Sequence, residues 1–211
     1  MVPASEQTDA QQRRALLKVE QILQGATQVF LSQGYDRASM DQVAKPAGVS
    51  KQTLYVYFAD KKALFKALVE RMAKQRFQAV FEETSLEGSP EVVLPQLLQK
   101  GFTRIAQDIE YHDFIRMMIG ESKRFPELVH VFFRNITVPG IETISDYLRN
   151  HPELEIPDAE ATAHILVGAS FFYMLTQEIM AGKDVLPMTQ TRLSASLMHL
   201  LGISGELKAS P

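Results

Sequence analysis

The stretch from Ser39 to Phe58 limits what this chain can fold into more than any other. Ser39 can accept a hydrogen bond from the backbone N–H of Gln42, and Gln42 can reach back to the N–H of Ser39, so Ser-x-x-Gln marks a helix start. Gly48 stops that helix, because only a residue without Cβ enters the left-handed turn cheaply. Ser50 then caps a second helix in a new direction. Leu54 and Phe58, four apart, share one face of it, and Val49 in the turn can wedge between the two helices. Lys51, Gln52 and Tyr55 fall on the opposite side, flanked by Thr53 and Tyr57. The pattern is a helix-turn-helix whose second helix has one buried face and one polar, donor-rich face of a width that can enter a major groove.

The surrounding residues carry a resemblance. Gly34-Tyr35, Ser39-Met40-x-x-Val43-Ala44, Ala47-Gly48-Val49-Ser50, Thr53-Leu54-Tyr55-x-Tyr57-Phe58 and Lys61-x-Ala63-Leu64-Phe65 stand at the spacing of the TetR family of bacterial transcriptional regulators, which roughly the first third of the chain resembles. The resemblance implies DNA contacts from Lys51, Gln52, Thr53 and Tyr55 in the groove, and from Ser39, Tyr57, Lys61 and Lys62 on phosphates. Elementary chemistry agrees: Gln reads adenine bidentately, Thr meets a thymine methyl or a phosphate, and a helix N-terminus carrying two lysines attracts phosphate. Pro46 departs from the family pattern, which usually has a small helix former there. Its ring removes the N–H that would bond the Gln42 carbonyl, so the last turn of the first helix is expected to tighten or bend.

Charge is distributed unevenly. The whole chain of 211 residues has a formal net charge of −3, but residues 1–66 are net +3 and residues 67–211 net −6. Phosphate contacts need local positive charge only, so the acidic total is no objection to DNA binding. The absence of cysteine excludes a disulfide framework, a thiolate zinc site and a cysteine nucleophile, and fits a cytoplasmic location. The longest apolar run, Ile165 to Leu175, is far short of the roughly twenty residues that span a bilayer, and no signal-peptide pattern opens the chain.

Read in order, residues 1–12 are polar and without periodicity, and are expected to form a flexible arm ending at Arg13 and Arg14. Val19, Ile22, Leu23, Ala26, Val29 and Phe30 then form a helical stripe that ends at Gly34, giving a three-helix DNA-binding domain over residues 13–59. Gly25 within it costs about 1 kcal/mol relative to Ala and points to close packing. Asp60 can cap a further helix from Lys61, and Ser89 with Pro90 one after that. No later stretch alternates with period two. Helices are expected near residues 90–108, 109–122, 126–150, 157–181 and 189–201, with Pro139-Gly140 kinking or splitting the third. The fold is therefore expected to be all-α, with residues 60–211 forming a helical effector-binding and dimerisation domain. The segment from Phe114 to Leu128 is similar to the C-terminal domain of AefR-like repressors within the same family.

Aromatic and methionine side chains suitable for an apolar pocket are concentrated in that second part: Phe77, Phe81, Phe102, Tyr111, Phe114, Met117, Met118, Phe171, Phe172, Tyr173 and Met174, with His112, Arg116, His164 and Gln177 as candidate polar anchors. Most such residues in any chain are simply core. Ala161, Gly168 and Ala169, followed by Leu193, Leu197 and Leu200, combine small residues that permit close helix approach with a leucine stripe that needs a partner. The resemblance implies that the partner is a second copy, giving a four-helix dimer interface; burial within one subunit is the alternative. The implied function is a homodimeric regulator, a repressor released from a palindromic operator by a small-molecule effector. No cofactor or metal is expected. An enzyme finds little support, since His-Glu-x-x-His, Gly-x-Ser-x-Gly and a phosphate-binding glycine loop are all missing. A module that has lost DNA binding would rest on Pro46 alone.

Overall fold

The computed structural model describes residues 4–82 and 85–203. All regular structure among them is helical. Two compact units result: one holds the described residues up to Arg71 together with Met117–Leu128, the other Met72–Arg116 and those from Val129 onward.

The first unit is built on α1 (Ala4–Arg37), α2 (Met40–Ala44), α3 (Lys51–Tyr57) and the opening turns of α4 (Lys61–Phe77). Residues 4–12, expected as an arm, are instead the first turns of α1; Met1–Pro3 lie outside the described residues. Ala, Gln and Glu are good helix formers whatever they face, so a missing apolar stripe does not exclude a helix. At the other end Gly34 adopts φ +79°, which breaks the helical path where the apolar stripe stops. The core of this unit joins Ile22, Ala26 and Phe30 to Val43, Leu54, Leu64 and Phe65. Phe30 meets Phe65 edge-on with centroids 4.9 Å apart, and Tyr35 is sandwiched with Phe65 at 4.7 Å and Phe125 at 4.6 Å. Fully burying each such side chain contributes about 1.5–3 kcal/mol. The 117–128 segment is tied on by Arg124, 2.8 Å from Asp36, and Glu127, 2.7 Å from Lys62.

The second unit contains the rest of α4, a π-helical turn at Gln78–Glu82, α5 (Pro90–Gln107), the start of α6 (Ile109–Glu121), the end of α7 (Pro126–Phe132), a π turn at Phe133–Thr137, α8 (Val138–Arg149), α9 (Ala159–Met174), a π turn at Leu175–Ile179 and α10 (Gln190–Leu200). Asp60 and Asp158 cap as their chemistry requires, accepting from Ala63 N at 2.7 Å and Ala161 N at 2.9 Å. Ser89 occupies the cap before Pro90 but makes no side-chain cap bond. The helix expected over 126–150 runs without a break from Pro126 to Arg149 and is not split: Pro139 has no N–H to continue the ladder, and the wider π turn just before it absorbs the mismatch. α8 and α9 pack together and α10 packs on α5, around Val93, Leu97, Ile144, Leu148, Leu166, Leu197 and Met198. Among the described residues, no helix is long and apolar enough to cross a membrane.

Candidate nucleic-acid interface and ligand cavity

Both caps of the helix-turn-helix form from residues three apart. Ser39 Oγ accepts from Gln42 N at 3.3 Å while Gln42 Oε1 accepts from Ser39 N at 2.9 Å, and Ser50 Oγ accepts from Thr53 N at 3.0 Å. Gly48 takes φ +60° between them. Pro46 ends α2 at Ala44, after which Ala47 N still reaches Val43 O at 3.1 Å and Val49 N reaches Ala44 O at 3.1 Å. The chain tightens only where Gly48 N reaches Lys45 O at 3.0 Å, three residues back, and the turn delivers Ser50 to its capping position.

What holds this turn in place lies far away in the chain. A Cβ on Gly25 of α1 would sit 2.5 Å from Ala47 N, so α1 and the turn touch backbone to backbone, and Gln21 Nε2 donates to Ala47 O at 2.6 Å. Nothing local in the sequence announces Gln21; Gly25 had only its cost in a helix to mark it. Leu54 is fully buried beneath α3 and Phe58 is buried just after it, leaving Lys51, Gln52 and Tyr55 exposed and Thr53 and Tyr57 half-buried at the edges. A rigid helix with one donor-bearing polar face results.

The basic residues are less uniform than the sequence suggests. Lys51 pairs with Asp41 at 2.7 Å and Lys62 with Glu127 at 2.7 Å; in both, the carboxylate hydrogen bond pushes the ammonium pKa up. Both pairs are exposed, where such bridges contribute little and exchange partners readily. Lys61 differs. Its Nζ donates to the carbonyls of Tyr35 at 2.9 Å and Asp36 at 3.0 Å and lies 4.6 Å from the Tyr35 ring centroid, so it closes the end of α1.

The second unit holds a cavity of about 810 Å³, partly open to solvent and within the range of small-molecule sites. Phe77, Phe81, Phe102, Tyr111, His164, Phe171 and Met174 line it, as expected. The other residues expected there lie elsewhere. Phe114 is fully buried against Tyr111 and Phe132, Met117 and Met118 belong to the first unit, and Phe172 is exposed. Gln177 is buried and donates to Leu186 O at 2.7 Å, holding the loop before α10. His112 bonds the Ile105 carbonyl at 2.8 Å, and Arg116 donates to the Ile179 carbonyl at 3.1 and 2.7 Å, so both are structural. Composition indicated a pocket but not its polar wall of Gln75, Arg76, Arg104, Gln107 and Asp108, which comes from helix ends where no periodicity operates.

Along α9, Ala161, Ile165, Gly168 and Phe172 follow one another at spacings of four, three and four and are all exposed; on α10 Leu200 is 75% exposed. Ala169 and Leu193 are half-buried against the core of their own unit. Leu197, expected at a dimer interface, is instead part of that core at 5% exposure: α10 turns it toward α5.

Comparison with known proteins agrees with this geometry. Residues 22–68 match the family described as bacterial regulatory proteins of the tetR family, and residues 93–196 the C-terminal domain of AefR-like transcriptional repressors. The HTH-type transcriptional regulators YvdT and YuxN of Bacillus subtilis are 42% identical over 55 residues and 26% identical over 134 residues, covering 26% and 63% of this chain. The chain spans less than half of either relative, 28% and 45%. A crystal structure of a TetR-family transcriptional regulator from Mesorhizobium loti, 25% identical, superposes with a TM-score of 0.75 over 91% of this chain and 98% of that one. With its helix-turn-helix and helical second unit, the chain belongs to the TetR family of DNA-binding transcriptional regulators.

Proposed function

We propose that this protein is a homodimeric repressor that reads a palindromic operator through α3 and leaves it when a small molecule occupies the cavity of the second unit. The observation that carries the reading is the exposed face of α3, with Lys51, Gln52 and Tyr55 held on a fully buried Leu54 between two formed caps. Gln52 and Tyr55 read base edges with Thr53, while Tyr57, Ser39 and Lys62 meet phosphates; a phosphate replaces Asp41 at Lys51 and Glu127 at Lys62. Lys61 acts mainly by closing α1, with one remaining proton for the backbone.

Dimerisation through Ala161, Ile165, Gly168 and Phe172 of α9 and Leu200 of α10 is supported by their exposure, since small and large apolar residues at heptad-like spacing suit a second pair of helices. A two-fold axis then places two α3 helices on half-sites one helical turn apart or a multiple of it. Coupling of about 1–3 kcal/mol between cavity and DNA lowers operator affinity five- to 150-fold.

Selection of bound sequences from a random DNA pool at physiological salt tests the reading. An enriched palindrome with two half-sites is expected. A folded protein that enriches nothing, with or without candidate effectors, overturns it and favours a module in which Pro46 has disabled recognition.

A further inference from the structure

The polar wall of the cavity indicates the kind of molecule it takes, given that the cavity is an effector site at all. Arg76 Nη2 lies 2.7 Å from Asp108 Oδ2 and 3.5 Å from Glu110 Oε1, Nη1 donates to Gln75 at 3.2 Å, and the guanidinium sits 5.4 Å from the Tyr111 ring centroid. The other oxygen of Asp108 accepts from Tyr111 N at 2.9 Å. Both charges are thus engaged with each other, and Arg76 is only 15% exposed. A carboxylate or phosphate ligand has to compete with Asp108 for the Nη atoms of Arg76, because the unpartnered Nε is itself buried, and an ammonium ligand with Arg76 for Asp108. Either way a partly buried charge is left without its partner, which is the costly outcome for such pairs. Arg104, the other cation on this wall, is also engaged within the chain.

Apart from His164, the remaining wall carries no ionisable side chain other than the Tyr111 phenol, and it is flat in places. Phe77 and Phe81, four apart across the π turn, stack at 4.8 Å and 27°. The edge of Phe81 rests on Gly140, where a Cβ would come within 3.3 Å of the ring. Ring faces and a bare backbone suit offset stacking against a second ring system.

We propose that the cavity binds an uncharged, largely apolar ring compound, in preference to a fatty-acid-like anion or a lipophilic cation. The charge-paired wall supplies neutral hydrogen bonding and rejects unpaired charge of either sign.

Fluorescence titration of the full-length protein, without DNA, with three probes tests this: Nile red (neutral, fused rings), cis-parinarate (anionic chain) and rhodamine 6G (cationic rings). Nile red is expected to saturate at one per subunit and to bind at least about tenfold tighter than either charged probe, a difference of about 1.4 kcal/mol. Asp108→Asn keeps the acceptor for Tyr111 N but removes the charge that compensates Arg76. It is expected to raise cis-parinarate affinity about tenfold while leaving Nile red within about threefold. The proposal is overturned if cis-parinarate or rhodamine 6G binds the unaltered protein as tightly as Nile red, if Nile red shows no saturable binding, or if Asp108→Asn leaves the anion's affinity unchanged. Because binding is read without DNA, a neutral preference combined with unaltered operator affinity counts against effector control alone and leaves the ligand class standing.

Discussion

Replacing Gly25 by Ala sets two effects of opposite sign against each other, and the geometry decides between them. In a helix interior, Ala is favoured over Gly by about 1 kcal/mol. At this position, however, the new Cβ lies 2.5, 2.7 and 2.8 Å from the N, Cα and Cβ of Ala47. The turn has to retreat by roughly 1 Å to reach an ordinary contact, and overpacking of this kind costs about 1–3 kcal/mol. The same retreat stretches the 2.6 Å bond from Gln21 to Ala47 O, worth about 0.5–1.5 kcal/mol. The net loss is about 2 kcal/mol, or a Tm about 4–8 °C lower for a chain of this size. Gly101→Ala in α5 is the control: its Cβ meets only Val80 Cγ1 at 4.0 Å. Propensity then acts alone, and Tm is expected to rise by about 1–4 °C. Circular-dichroism melts of both variants are the assay, with operator anisotropy on Gly25→Ala to read the displaced α3 as an affinity loss of about tenfold or more. If Gly25→Ala melts above the unaltered protein, as Gly101→Ala is expected to, the argument that α1 positions the turn by backbone contact fails.

Three further perturbations have definite expected outcomes. Ser50→Ala removes the acceptor for Thr53 N and is expected to cost about 1 kcal/mol, read as a lower Tm, whereas Ser89→Ala, where no side-chain cap bond exists, leaves the melt unchanged. Ile165→Asp with Leu200→Asp places charge on residues that are 60% and 75% exposed in the single chain; sedimentation is expected to show monomers that keep their helical content, and an intact dimer would move the interface elsewhere. The hydrogen bond from Arg124 holds the Asp36 carboxyl below its usual 3.8, so what it contributes to stability is present above that value and lost as pH falls through the depressed one; NMR titration of Arg124→Ala is expected to return Asp36 upward to the ordinary range, and an unmoved titration contradicts the pairing.

What could be read from the residues alone was what acts within a few positions. The caps at Ser39, Ser50 and Asp60 and the left-handed Gly48 each depend on neighbours a few positions away, and each is where local chemistry puts it, whereas the Ser89 side chain makes no cap bond and the helix runs on through Pro139. Contacts that cross the chain were not legible. Gln21 and Gly25 meet Ala47 over more than twenty residues, and Lys61 closes the end of α1 over about the same distance. An apolar position reports that a side chain needs burial but not against what. For that reason Met117, Met118 and Phe114 read as pocket and Leu197 as interface, although the first two pack in the DNA-binding unit and the others in core. The π turns at 78–82, 133–137 and 175–179 had no signature beyond Pro139. Yet two of them place Phe81 and Ile136 on the cavity wall.

The central claim is that the exposed face of α3 reads sequence, and fluorescence anisotropy on the selected operator tests it most directly. Gln52→Ala and Tyr55→Ala, combined in one chain, remove base contacts worth about 1–3 kcal/mol each in both half-sites. Specific affinity is expected to fall by about 1,000-fold or more, with helical content, dimerisation and salt-sensitive binding to random DNA preserved. Operator affinity equal to that of the unaltered protein would contradict the account, because recognition would then reside somewhere other than α3.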